Sequence, residues 1–211
     1  MWILFYVNFL ITFTISGLFC FYKDFKSNDE QLNNKIQSTN KLQVLSQYKF
    51  ILPRVIINAL GLIPFFFKFA MRLSTFNEDF NFMQSIFQII FAGFFIDFFF
   101  YSTHRLLHHP KLYKWSHYIH HRFNKPVGIE AIYHHWFDLY FSNLLPIFLS
   151  LWILPNKNII TWHFWIFLST STAVIHSHSG WYQTRHSTHH TKYIVNYGVG
   201  LFMDKICGTQ Y

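Results

Sequence analysis

Charge is scarce in this 211-residue chain: Asp, Glu, Lys and Arg together make up only 12% of it. That is about half the share of an ordinary soluble domain, and it argues against a water-soluble fold. Cysteine is nearly absent. Cys20 and Cys207 are the only two and neither sits in a CxxC pair, so no thiolate zinc finger is expected. A disulfide between them is not expected either, since one lies in an apolar run and the other near the end of the sequence. Acidic residues number nine, with no Glu-x-x-His pattern, which removes the carboxylate-bridged ligand set of soluble di-iron bundles. The basic residues, in excess by a net +8, are scattered between apolar runs and form no stripe. Nucleic acid is therefore not the expected partner. In a membrane protein such an excess reports orientation and contact with anionic headgroups.

What fills the chain instead is apolar and aromatic: 52% hydrophobic residues, 22% aromatics, 28 of them Phe. Residues 1–22 carry no Lys, Arg, Asp or Glu and match the length of one bilayer-spanning helix. A cleaved signal peptide fits less well, for want of a basic n-region and a small-x-small cleavage site. A polar connector occupies 23–49. A second apolar run, about 50–71, is interrupted by Pro53, Arg54, Pro64 and Lys68 and is expected to be broken or interfacial. A third, about 82–103, has a single charge at Asp97. Two more, about 137–154 and 159–175, flank the turn Pro155-Asn156-Lys157-Asn158 and read as a helical hairpin. The expected fold is all-α, an integral membrane protein with about four transmembrane helices and a helical cytosolic cap that binds metal. Residues 1–81 are expected to supply membrane segments and connector, and 82–211 the histidine-bearing domain. Lys and Arg support that orientation: they gather in the connector and between Arg105 and Lys205 on the histidine side, against Lys68, Arg72 and Lys157 opposite.

All fourteen histidines lie after residue 100. Three clusters share one grammar: His104-x-x-x-His108, His117-x-x-His120-His121 and His186-x-x-His189-His190. Helical residues three and four apart share a face, so each cluster can aim two or three imidazoles at one point. Neutral imidazole is a ligand for iron, zinc, copper and nickel. About ten imidazoles are too many for one ion and suit two held side by side. The returning hairpin brings the third cluster to the side that holds the first two. His176 and His178 emerge there and complete a set of ten; His109 or His135 are the alternatives for these last two. His134 and His163 are read as non-ligands. Asp97, seven residues before His104, either accepts the outer ring N–H of a ligand histidine or is a buried hydrogen-bonding residue with no metal role.

The stretch from His104 to His121, followed by Asn124-Lys125-Pro126, resembles the fatty acid hydroxylase superfamily of membrane di-iron oxygenases. So does His186-Ser-Thr-His-His-Thr-Lys-Tyr193 leading to Asn196-Tyr-Gly198, Met203-Asp204 and Gly208-Thr209. The superfamily includes sterol desaturases, sterol C-4 methyl oxidases and sphingolipid fatty acid hydroxylases, and the motifs look most like the sterol C-5 desaturase branch. The resemblance covers about residues 90–211. It implies an endoplasmic-reticulum-type membrane enzyme with two iron ions (zinc as a substitute) that hydroxylates or desaturates a sterol or fatty acyl lipid. It implies molecular oxygen as oxidant and cytochrome b5 or a similar electron donor. His104, His108, His117, His120, His121, His186, His189 and His190 stand where the family has metal ligands. Two features depart from the family pattern: a short interval between His178 and His186, and His135-Trp-Phe-Asp138 without the family's proline. The alternative functions are a histidine-rich membrane metal-binding or transport protein, a bis-histidine haem carrier and an inactive family member.

Overall fold

The computed structural model describes residues 1–31, 41–77, 79–155, 157–178 and 185–211. The middle of the polar connector (32–40) and Asn156 of the hairpin turn lie outside these. Among the described residues all regular structure is helical. The α-helices are α1 (Trp2–Gln31), α2 (Lys41–Ile56), α3 (Ile63–Arg72), α4 (Phe82–Leu107), α5 (Pro110–Trp115), α6 (Trp136–Asp138), α7 (Leu145–Trp152), α8 (Ile159–Ser177), α9 (Arg185–Lys192) and α10 (Met203–Ile206). Three helical stretches are long and apolar enough to cross a membrane: Trp2–Lys23, Gln43–Arg72 and Phe82–Leu107.

The second of these differs from the broken run expected around 50–71. α2 and α3 join through a π turn, Ile57–Leu62, and Pro64 follows at the first turn of α3. Proline has no N–H to donate and its ring clashes with the carbonyl four residues back. A widened turn just before it lets the helix continue. The arm beginning at Trp136 uses the same device, with a π turn at Leu139–Leu144 ahead of Pro146.

Helix direction follows from contacts at the two ends. At one end, Phe5 of α1 stacks on Phe76 and on His163 of α8, at 5.6 and 4.2 Å. The Asn77 N–H donates to the Lys157 carbonyl at 2.7 Å. Asn158 caps α8 through the N–H groups of Ile160 and Thr161 and ties the turn to the Asn77 and Asp79 carbonyls. Asn81 caps α4 in the same way. At the other end, the 3-10 turn Gly128–Ile132 presses on α1 so closely that a Cβ on Gly128 would lie 2.7 Å from the Cys20 Cβ. Thus α1, α4 and α8 run toward the histidine end, and α2–α3 and α7 run away from it. One apolar core joins them, with Phe5, Phe9, Ile63 and Phe67 packed among Phe148, Trp162 and Trp165. Outward, α1 exposes Ile11, Ile15 and Leu18, and α4 exposes Phe87, Phe91, Phe94 and Phe98. Large apolar side chains on that surface suit a lipid solvent.

Candidate metal centre

Each histidine motif is carried by a short element at the histidine end. His104 is on the last turn of α4 and His108 is its C-cap. His117, His120 and His121 lie on a 3-10 turn, His117–Arg122, not on the α-helical face expected from their spacing. His186, His189 and His190 lie on α9.

The motifs do not each aim at one point. Ring nitrogens of His104, His108, His117, His121 and His189 gather into one group, and those of His120, His186 and His190 into a second; within each group the atoms lie within 4.8 Å of one another. Each HxxHH motif is therefore divided, its first and last histidines going to one group and its middle one to the other. All these histidines are buried except His108, which is partly buried.

Hydrogen bonds at the outer ring atoms fix the tautomers. His104 Nδ1 donates to the Tyr197 carbonyl (2.7 Å), His189 Nδ1 to Val195 (2.6 Å) and His190 Nδ1 to Phe123 (3.0 Å). His117 Nδ1 donates to Asp138 Oδ2 at 2.8 Å. A carbonyl or carboxylate can only accept, so in the neutral ring each of these protons sits on Nδ1 and leaves a bare lone pair on Nε2. Those lone pairs point inward. His189 Nε2 is 3.0 Å from His108 Nε2 and 3.2 Å from His121 Nε2, and His121 Nε2 is 3.2 Å from His117 Nε2. In the second group His190 Nε2 stands 3.1 Å from His120 Nε2 and 3.0 Å from His186 Nε2. His104 Nε2 is buried without a hydrogen-bond partner.

A proton can serve one pair of facing nitrogens; a cation can serve them all. Adjacent ligands of an octahedral ion at about 2.1 Å lie about 3.0 Å apart, and those of a tetrahedral one about 3.4 Å. The spacings here are those of ligand atoms on one ion, so the donor set fits two metal ions. Burial, together with neighbouring imidazoles, holds His120, His121, His186 and His189 well below the ordinary histidine pKa, and burial holds His190 at about 3. These rings stay neutral at physiological pH, the form that binds metal.

The other histidines stand apart from both groups. His176 is close: its ring lies 5.1 Å from that of His186. His178 is fully buried at the C-cap of α8. His109 is exposed, and His135 packs on Trp115. His163 lies at the opposite end of the molecule, beside Asn8 and Phe5. His134, read as a non-ligand, stacks on His120 at 4.2 Å and donates through Nδ1 to Asp138 at 3.0 Å.

Of the two readings of Asp97, the structural one holds. Its carboxylate accepts the backbone N–H groups of Val199, Phe202 and Met203 at 2.8–3.0 Å and touches no histidine ring. The carboxylate that orients ring nitrogens is Asp138. It is fully buried, accepts from His117 and His134, and receives the Ser142 hydroxyl at 2.5 Å. The signal available in the sequence was an Asp four residues after His134, at the start of an apolar arm.

A cavity of about 300 Å³ reaches the centre from between α4, α7 and α8. Its inner end is formed by His104, His117, His120 and His186, and its outer part by apolar side chains such as Ile96, Ile147 and Leu168.

Fold and site together define a helical membrane protein with two histidine groups able to hold metal at one end of its bundle. A profile of the family described as Fatty acid hydroxylase matches residues 89–209, and the chain belongs to that family. It is 35% identical over 117 residues to "Fatty acid hydroxylase ahd1" of Mycosarcoma maydis, covering 53% of this chain and 30% of that protein. It is 32% identical over 117 residues to human "Fatty acid hydroxylase domain-containing protein 2", covering 53% and 34%. Against "Delta(7)-sterol 5(6)-desaturase ERG3A" of Gibberella zeae the identity is 26% over 210 residues, 93% of this chain and 57% of that one. The matched stretch is thus about a third of the first two relatives' own length. No solved structure matches.

Proposed function

We propose that this chain is a membrane oxidoreductase that uses molecular oxygen to hydroxylate or desaturate a C–H bond of a sterol or fatty acyl lipid. One observation carries the reading: two convergent groups of imidazole nitrogens border a largely apolar cavity between the membrane helices, with His104, His117, His120 and His186 in its lining. Relatives named as a fatty acid hydroxylase, a sterol desaturase and a methylsterol monooxygenase support it.

His104, His108, His117, His121 and His189 would hold one iron, and His120, His186 and His190 the other. His176 and His178 are assigned as the remaining two of ten ligands, with His176 nearest the three-histidine group. Bound there, the irons would supply the oxygen-activating chemistry, with electrons from cytochrome b5 or a similar donor. The chain's own contribution is orientation and dryness. Asp138 and the carbonyls of Phe123, Val195 and Tyr197 fix the rings. The apolar wall excludes water and holds one substrate carbon against the centre. Both outcomes begin with loss of a hydrogen from that carbon; oxygen then returns to it, or a neighbouring hydrogen is lost. Small differences in substrate placement choose between them. The histidine end faces the cytosol in an endoplasmic-reticulum-type membrane, by its excess of Lys and Arg. A transport role would place imidazoles along the middle of the spans, whereas these lie at one end.

Purified His120→Ala and His189→Ala variants test the assignment. Each is expected to lose metal by elemental analysis and to abolish oxidised product in lipid profiles of expressing cells. Full activity in either variant overturns it.

A further inference from the structure

One polar side chain in the cavity wall has its direction fixed by its neighbours. Asn143 lies on the π turn Leu139–Leu144 beside Ser142, and both residues line the cavity. Widened turns of this kind gather at functional sites. Asn143 Nδ2 stands 3.2 Å from His134 Nε2 and 3.4 Å from Ser142 Oγ. Which way round the amide sits follows from Asp138. A carboxylate can only accept, so His134 Nδ1 and the Ser142 hydroxyl both donate to it, at 3.0 and 2.5 Å. In the neutral ring His134 Nε2 is then an acceptor, and Ser142 Oγ has only lone pairs left. Two acceptors face Asn143, and its NH2 group turns to both. The opposite orientation would set the amide oxygen against those lone pairs.

With its N–H groups engaged, the carbonyl oxygen Oδ1 is what Asn143 has left to offer the cavity. Among the described residues it accepts no hydrogen bond. An acceptor without a donor is costly away from water, and the wall around this one is largely apolar, with Ile147, Leu168 and Ala173. Other polar groups in the lining do not select in the same way. The Ser169 hydroxyl donates to the Trp165 carbonyl, and a hydroxyl such as that of Thr172 rotates to give or to accept. Asn143 Oδ1 can only accept. It is also near the metal-binding groups, because His134, which its amide holds, stacks on His120 at 4.2 Å.

We infer that the Asn143 side-chain carbonyl anchors a free hydroxyl of the lipid substrate, so that the site takes an alcohol and rejects its counterpart without an O–H at that point. The inference rests on the lipid-oxidation reading above and adds a requirement to its substrate: a hydroxyl close to the carbon that is oxidised, carried by a sterol or by a hydroxylated acyl lipid. One carboxylate, Asp138, then aligns both the imidazoles and the substrate.

The test uses matched pairs: a sterol and the ketone made by oxidising its hydroxyl, and a hydroxylated fatty acid and its ketone. A ketone keeps the shape and the oxygen but has no proton to give. Binding of each radiolabelled lipid is measured on purified wild type, Asn143→Leu and Asn143→Ala, and oxidation of each is read by mass spectrometry in expressing cells. In one pair wild type is expected to bind the alcohol about tenfold more tightly than the ketone, the worth of one hydrogen bond. Both variants are expected to lose that preference while keeping their metal. The pair that shows it identifies a sterol or an acyl source. If one variant loses metal, the other decides. No preference in wild type for either alcohol, or a preference that survives in the variants, overturns the inference alone. So does loss of metal from both variants, which makes Asn143 a brace for His134 and no more. A wild type that oxidises no lipid overturns the lipid-oxidation reading and the inference with it.

Discussion

Asp138 carries two imidazoles on one carboxylate. Through His117 it orients the five-histidine group, and through His134, stacked on His120, it braces the three-histidine group. An asparagine keeps the shape but gives up the charge and one acceptor. Loss of such an outer partner typically weakens metal binding by about 10–100-fold. Asp138→Asn is therefore expected to keep its helical content and to surrender metal to a chelator at a concentration lower by about that factor; unchanged retention refutes the bracing role. The buried rings also set a pH dependence in the metal-free protein. His190 is held at about 3 by burial, against about 6.5 for an unfolded chain. The folded state thus favours the neutral ring. Its contribution is complete above pH 6.5 and is lost as pH falls from 6.5 toward 3. His120, His121, His186 and His189 shift in the same direction. The unfolding midpoint of the metal-free protein should be flat above pH 6.5 and fall steadily below it in detergent melts. A rise on acidification would contradict this.

At the scale of elements, the divided motifs have two different causes. On α9 each residue turns about 100°, so positions four apart differ by about 40° while neighbours differ by about 100°. His186 and His190 therefore share a target and His189 faces another. The 3-10 turn has 3.0 residues per turn and would eclipse His117 with His120. There the side chains decide: His117 turns to Asp138 and His120 stacks on His134. A second element-level device is the clasp of the segment after α9. Asp97 takes three backbone N–H groups of that segment. Asp204 takes those of Tyr197 and Gly198 and the Thr209 hydroxyl, each at 2.8 Å. Gly198 passes between the carboxylates with no room for a side chain: a Cβ would lie 2.8 Å from Asp97 and 3.0 Å from Asp204. The clasped segment supplies the Tyr197 and Val195 carbonyls that orient His104 and His189. Asp97→Ala leaves three N–H groups without their acceptor, at about 1–3 kcal/mol for each buried one. It is expected to lower stability by about 3 kcal/mol or more and to weaken metal retention along with it, read by thermal unfolding and elemental analysis. A stable variant with full metal would deny the clasp its role.

For the whole molecule, metal and fold are linked. Eight imidazoles from three segments, seven of them buried and His108 partly so, close on two points, and their facing ring nitrogens stand 3.0–3.2 Å apart. Ions that bind only the folded state raise its stability by mass action. Stripping metal with a chelator should lower the melting temperature, and restoring iron should return it; a midpoint indifferent to metal would separate site from fold. Much of this was legible in the sequence because it is local. Apolar runs and the scarcity of charge point to membrane helices, and three- and four-residue spacings mark the histidines. Motif order carries the family. What the sequence left open depends on distant residues meeting. Asp97 and Asp138 look alike as lone acids in apolar runs, and only their neighbours after folding separate a clasp from an orienting carboxylate. Spacing gives three clusters; packing regroups them into two, because a ring's target depends on which carbonyl or carboxylate holds its outer nitrogen. The sequence by itself determined that imidazoles gather at one end of a membrane bundle. The tertiary structure decided which imidazoles gather together and what space the helices leave beside them, since both are set by contacts between residues tens of positions apart.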